Sequence, residues 1–367
     1  MTSEPETKTG GRRSVLVTVA LVVLAYLAVA EAVLRFLPVA TGLRSVAVSN
    51  AQPIFHFEPD RDFVYSRGWN LQDVVHGRVN NTGWVNEQDY TRDGKLPLIA
   101  VIGDSYIEAQ MVPYAQTLQG RLAAALKGWA RVYSFAASGA PLSEFAVYAA
   151  YAVREFGAAA VVINIANYDF AASDAAFDRP AGMWSYETAR NGKELRLVPY
   201  SPGWLREIAR HSALARYLLL NLHLDRALSA AHLIASLAPT RRALAAEPDA
   251  ERRLAASAAI IPLFFRDFAQ RVDLPPGRVL FVMDGAHYPQ APVTDSVRQL
   301  RQAFAAAAAA KGYETVDLEP LFLARYRDQP GPVEIPGDVH WNGAGHAVAA
   351  EGVMASRLMA DLLAQPR

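Results

Sequence analysis

Three side chains in this 367-residue chain have the types and neighbours that acyl chemistry needs: Ser105, Asp338 and His340. A serine hydroxyl is a weak nucleophile until a base takes its proton. That base is most often a histidine held in one tautomer by a carboxylate. Ser105 follows Gly103-Asp104, and Asp338 and His340 stand two apart in a loop flanked by proline and glycine. Each feature also has a plainer reading. Asp and Ser are favoured helix N-caps, and Asp338 can cap a turn while His340 packs on Trp341. Together, the two features point to a base-activated serine.

Such groups work only if rigid elements bring them together. Residues 97–102 are wholly apolar and closed by Gly103, the pattern of a parallel strand buried on both faces. Residues 130–135, 158–165, 278–283 and 313–318 read as further strands. Residues 116–127, 143–156, 294–311 and 343–363 read as helices, with Ser143 as a cap and Glu144 in the first turn of the second. This alternation predicts a three-layer α/β/α sandwich around a parallel five-stranded sheet, flavodoxin-like in architecture. Ligands of open α/β sheets bind beyond the carboxyl ends of the strands. Ser105 belongs there, at a strand-to-helix turn that Gly103 would keep tight and where helix amides face bound anions.

Two regions fall outside the alternation. Residues 38–95 are irregular and rich in aromatics, and read as a stalk and lead-in segment before a catalytic domain at 96–367. Within that domain, residues from about 170 to 275 read as a mostly helical insertion and the expected source of substrate specificity. The insertion includes Trp184, Trp204 and a leucine- and alanine-rich stretch at 211–237.

With these residues in view, the chain resembles the SGNH/GDSL hydrolase family over roughly residues 96–363. The first family block appears as Gly103-Asp104-Ser105-Tyr106 and the last as Asp338-Val339-His340. The second block's glycine corresponds to Gly139 and the third block's asparagine to Asn167. The resemblance implies Ser105 as nucleophile, His340 as base and Asp338 as its orienting carboxylate. It also implies an oxyanion hole from the amides of Ser105 and Gly139 plus the Asn167 side chain. There are departures. Ile165-Ala166-Asn167-Tyr168 replaces the usual Gly-x-Asn-Asp, with Asp169 one position late and Asn164 as a rival. The spacing Asp-x-His replaces Asp-x-x-His, a form that resembles membrane-anchored bacterial members and related polysaccharide acetyltransferases. Among the other histidines, His346 reads as a helix residue near the site and His287 as a candidate pocket residue.

The N-terminus adds a location. Residues 14–30 carry no charge, and Lys8, Arg12 and Arg13 precede them. The run reads as a transmembrane anchor over residues 14–37 behind a cytoplasmic tail, 1–13. The rest of the chain then lies outside the inner membrane, in the periplasm. Ala28-Val29-Ala30 also fits a signal-peptide cleavage site, so a cleaved leader stays open.

Lys+Arg and Asp+Glu are equal at 36 each, which gives no electrostatic reason for a nucleic-acid partner. The chain has no cysteine, which excludes disulfides, thiolate metal sites and cysteine catalysis. No G-x-S-x-G elbow, G-x-G-x-x-G fingerprint, Walker A loop or H-E-x-x-H motif is present, so neither cofactor nor metal is implied. The expected activity is ester hydrolysis through an acyl-serine, on O-acyl (acetyl) groups of envelope or extracellular glycans or on a lipid ester. An O-acyltransferase using the same triad and a non-catalytic anchored binding protein are the alternatives.

Overall fold

The computed structural model describes residues 9–190, 192–224 and 239–364. They fall into two compact units.

The larger unit is built on a five-stranded sheet of order β4-β3-β5-β8-β9, with every neighbouring pair parallel. These strands are β3 (Leu98–Gly103), β4 (Arg131–Ala136), β5 (Ala158–Ile165), β8 (Val279–Met283) and β9 (Glu314–Asp317). The five strands therefore fall where the apolar runs predict them. All six residues of β3 and all five of β8 are buried, as expected where helices cover both faces. Side chains alternate between two cores. Ile99, Val101, Val162, Leu280 and Val282 pack with helices α3 (Leu118–Ala125), α10 (Glu319–Asp328), α11 (Gly343–Met354) and α12 (Arg357–Leu363). On the other face Phe281 meets Phe264, Phe265 and Phe268 of α8 (Pro239–Arg271) and Phe304 of α9 (Asp295–Ala309). Phe135 meets Phe156 of α4 (Leu142–Phe156).

Several details differ from the sequence reading. Residues 343–363 form two helices, because Ser356 takes extended backbone and caps the second through Met359 N. Ser143 does not cap α4. Pro141 stands at the N-cap, and Ser143 is buried inside the first turn, donating to Trp184 O. The lead-in segment contributes a two-stranded sheet, β1 (Arg61–Arg67) with β2 (Gln72–Val79). The region read as mostly helical also holds an antiparallel hairpin, β6 (Trp184–Ala189) with β7 (Gly192–Leu197). Residues 225–237 of the leucine- and alanine-rich stretch lie outside the described residues.

The smaller unit comprises the first helix, α1 (Thr9–Leu34), the residues after it to 42, residues 64–74 and the segment from 203. That segment carries α6 (Trp204–Arg210) and α7 (Ala213–Arg216). Within α1, Ser14–Leu34 is long and apolar enough to cross a membrane.

Candidate active site

The order β4-β3-β5 places the loops after these three strands side by side at one end of the sheet. Ser105 leaves β3 through Asp104 and opens α2, a single turn at Ser105–Glu108. A helix this short has little dipole, so individual amides, not a helix field, are what the turn offers an anion. Gly103 is needed for packing: a Cβ there would lie 2.4 Å from Ile107 Cγ1. Asp104 is the N-cap, its Oδ1 accepting from Tyr106 N at 2.9 Å. The capping reading therefore holds for Asp104, while the Ser105 hydroxyl is committed elsewhere. Full burial raises the Asp104 carboxyl to about 7, with the charges of Asp284 and Glu108 adding to the effect.

The hydroxyl of Ser105 lies 2.7 Å from His340 Nε2, and His340 Nδ1 lies 2.6 Å from Asp338 Oδ1. The tautomer that satisfies both contacts carries its proton on Nδ1 and accepts from Ser105 through Nε2. Partial burial works to raise the Asp338 carboxyl. The hydrogen bond and charge of His340, with the amides of His340 and Val339, outweigh it and hold the group below the ordinary range. Ser105 is 8% exposed, so its hydroxyl is sheltered but reachable.

The structure brings these three side chains into one hydrogen-bonded line. The residues paired with them for oxyanion binding follow the neighbouring strands. Gly139 follows β4 with φ +78°, a backbone conformation that glycine adopts without strain. Asn167 follows β5, is partly exposed, and makes no side-chain hydrogen bond among the described residues. Its rival Asn164 is fully buried inside β5, opposite Val282 in the register with β8, and its two amide atoms have no hydrogen-bond partner among the described residues. The late Asp169 has its own structural task. Its Oδ2 accepts from Ala166 N at 2.7 Å and closes the turn that presents Asn167 and Tyr168. Burial, with the charge of Asp104, raises its carboxyl well above the usual range.

Other residues surround these, and Glu108 among them carried no sequence signal. Glu108, 2% exposed, accepts from Ser138 N at 2.8 Å and Ser138 Oγ at 2.6 Å, tying α2 to the Gly139 turn. Burial pushes its carboxyl up against the pull of these donors. The Tyr168 hydroxyl stands 3.4 Å from Ser105 Oγ. Trp341, fully buried, donates from Nε1 to Asp284 Oδ1 at 3.1 Å. His287 is packed beneath the site instead of lining a pocket. It holds the same Asp284 oxygen at 2.8 Å and Glu334 Oε1 at 2.5 Å. Burial opposes its charge, but the two carboxylates win and raise it to about 9. His346 sits in α11, where burial lowers it to about 3 and its neutral Nδ1 accepts from Leu118 N. Among the described residues no group of His, Asp and Glu is arranged to hold a metal ion.

No protein-family model matches the chain, and no curated protein matches it. Solved structures do. A member of the lipolytic protein G-D-S-L family from Veillonella parvula DSM 2008 is 11% identical, covering 71% of this chain and 97% of its own, with a TM-score of 0.36. A catalytic mutant of Axe2, an acetylxylan esterase from Geobacillus stearothermophilus, is 12% identical over 73% of this chain and 96% of its own, at 0.39. An extracellular lipase from Streptomyces rimosus is 12% identical over 70% and 98%, at 0.34.

Proposed function

We propose that the protein is a serine ester hydrolase that works through an acyl-serine. The observation that carries this reading is the unbroken line Ser105 Oγ, His340 Nε2, His340 Nδ1, Asp338 Oδ1, with spacings of 2.7 and 2.6 Å. In this reading His340 takes the Ser105 proton as Oγ attacks the acyl carbonyl. The negative charge on the carbonyl oxygen meets the amides of Ser105 and Gly139 and the Asn167 side chain, each donor being worth about 2.7–4 kcal/mol. The intermediate collapses and breaks the ester C–O bond. The alcohol leaves with the proton from His340. Water then gives His340 a proton and attacks the acyl carbon; the acyl C–Oγ bond breaks, Ser105 takes the proton back from His340, and the acid is released.

The substrate class follows from location. The first helix is read as an uncleaved span with its N-terminus in the cytoplasm, which puts the site outside the inner membrane. O-acyl groups on envelope or extracellular glycans are the substrates this reading favours there, with a lipid ester as the other ester at hand, and acetyl is the acyl group inferred from the family resemblance. Transfer of the acyl group to a sugar hydroxyl uses the same steps with a different acceptor.

Labelling by a fluorescent fluorophosphonate tests the chemistry. Wild type is expected to label, and Ser105→Ala and His340→Ala are not. Equal labelling of Ser105→Ala overturns the assignment. Acetate release from an acetylated glycan without an added acceptor supports hydrolysis. Acetyl gain by an added polysaccharide at the expense of release supports transfer.

A further inference from the structure

The smaller unit exposes large apolar side chains out of proportion to its size. Beyond the first helix its described residues are only 35–42, 64–74 and 203–224. Yet Phe36 is 90% exposed, Trp69 76%, Trp204 69% and Ile208 62%. Trp204 and Ile208 are four apart on α6, and so share one helix face. The described residues of the larger unit expose few such side chains, and these are scattered along its sequence. Concentrated exposure of this kind marks a surface that meets something apolar.

A polar joint fixes these segments to the first helix. Glu31, in the last turn of α1, accepts from Ala213 N at 3.0 Å, and from Leu214 N and Ser212 Oγ at 2.8 Å each. These are the amides and cap of α7, which otherwise have no helical partner. Asn221, buried, makes a second joint. It donates to Ser66 O at 3.1 Å and accepts from Ala40 N at 3.1 Å. The turn between β1 and β2 is joined through Tyr217, whose hydroxyl donates to Trp69 O at 2.7 Å.

The depth of this body follows from helix length. Ser14–Leu34 has 21 residues, about 31 Å at 1.5 Å per residue, and a hydrocarbon core is about 30 Å thick. A spanning α1 puts Glu31 at the outer limit of the hydrocarbon. Any group hydrogen-bonded to its carboxylate then lies among the lipid headgroups. We propose that the smaller unit is an interfacial collar: Phe36, Trp69, Trp204 and Ile208 sit in the headgroup–acyl boundary of the bilayer that carries α1. The occupant is this bilayer and not another protein, because the exposed side chains and the spanning helix belong to one hydrogen-bonded body. Trp and Phe suit the boundary, where one end of a side chain is apolar and the other wet. The collar rests on reading α1 as a retained span.

The test uses the full chain in phosphatidylcholine–phosphatidylglycerol vesicles, with phosphatidylcholine brominated near the headgroup end of its chains. Wild-type tryptophan emission is expected to be quenched, and Trp69→Phe with Trp204→Phe is expected to remove most of that quenching. Membrane-retained protein that is not quenched, or is quenched equally without both tryptophans, overturns the collar and leaves the anchor standing. Release by alkaline carbonate overturns the anchor and the collar with it. Protection of the tryptophans by a second copy, seen as cross-linked dimers without quenching, overturns it as well. Glu31→Ala is expected to raise amide exchange at Ala213 and Leu214 by about tenfold, the usual effect of losing a cap, while vesicle retention is unchanged. Unchanged exchange refutes the joint.

Discussion

Replacing Glu108 by alanine tests whether the helical turn that carries Ser105, the proposed nucleophile, also positions the Gly139 amide, the proposed second oxyanion donor. The Glu108 carboxylate takes three hydrogen bonds, from Ser138 N at 2.8 Å, Ser138 Oγ at 2.6 Å and Gln110 Nε2 at 2.6 Å. Ser138 precedes Gly139, whose left-handed φ turns the chain out of β4. In wild type, then, a residue three positions after Ser105 holds the turn that presents the Gly139 amide. Alanine removes both acceptors from Ser138, which is itself exposed and can turn to water, so stability should fall by only about 0.5–1.5 kcal/mol per hydrogen bond. If the turn relaxes and the amide misses the developing oxyanion, about 2.7–4 kcal/mol of transition-state stabilisation goes with it, a fall of 10²–10³ in kcat. The donor acts mainly in the transition state, so KM should hardly move.

The assay is steady-state hydrolysis of an aryl acetate by the detergent-solubilised full chain, beside a thermal melt of each variant. Glu108→Gln keeps an acceptor for Ser138 N and can donate to Ser138 Oγ, so its kcat should stay within about tenfold of wild type. A folded Glu108→Ala protein with kcat within about threefold of wild type refutes the positioning role. So does a loss of rate that only matches the loss of folded protein.

Three further outcomes follow from the same geometry. Asp338→Asn should lower kcat by about 10³–10⁴, because the amide can donate to Nδ1 and select the wrong tautomer. Phosphonate labelling rates would show the same drop, and a rate near wild type would assign the orienting task elsewhere. Trp341→Phe removes the donor to Asp284 Oδ1, and should cost about 1–2 kcal/mol of stability in a melt and lower kcat with little change in KM. His287 predicts a pH effect on stability. Its folded value, raised to about 9, lies above the roughly 6.5 of an unfolded chain. Its contribution is therefore complete below about pH 6.5 and is lost as pH rises through about 9. Melting temperatures of wild type should fall over that window, and those of His287→Gln should stay flatter.

The fold was legible because a parallel sheet covered on both faces writes itself as short apolar runs. Residues 158–165 read as a strand and are one, and Thr294 marks the start of its helix as its capping oxygen requires. Hairpins were harder. Gln72–Val79 and Gly192–Leu197 are largely exposed and polar, so no apolar run announces them. The long helix Pro239–Arg271 was read as part of an insertion, although Phe264, Phe265 and Phe268 make it a core layer. Its phenylalanines fall in one stretch near its end, and only the partner strand β8 explains why they are there. At the site, residue type and order in the sequence singled out Ser105, Asp338 and His340, which the structure brings into one hydrogen-bonded line. The sequence could not assign a part to Glu108 or Asp284, or the Asp284 contact to Trp341, because these depend on hydrogen bonds across long separations in sequence.

The two-residue spacing of Asp338 and His340 raises a problem that the loop around them solves. A carboxylate two positions away must fold back on its own backbone. Asp338 Oδ1 does so, accepting from both the amide and the ring of His340, at 3.2 and 2.6 Å. Such a short loop cannot stiffen itself, and no helix or strand of the sheet contains it. Its rigidity comes from outside. Glu334 and Trp341 bridge the base of the loop, and Ile335 N reaches His340 O. Asn342 ties Pro332 and Glu334 with its amide while capping α11 with its oxygen. Tyr106, the residue after the nucleophile, donates to Val339 O at 2.9 Å, and Asp284 at the end of β8 holds Trp341. His340 is thus positioned from the ends of β3, which carries Ser105, and of β8. A shorter Asp-His spacing is sustained here by neighbours that pin both sides of His340. This makes Tyr106 and Trp341, and not only Asp338, the residues on which the orientation of His340 depends.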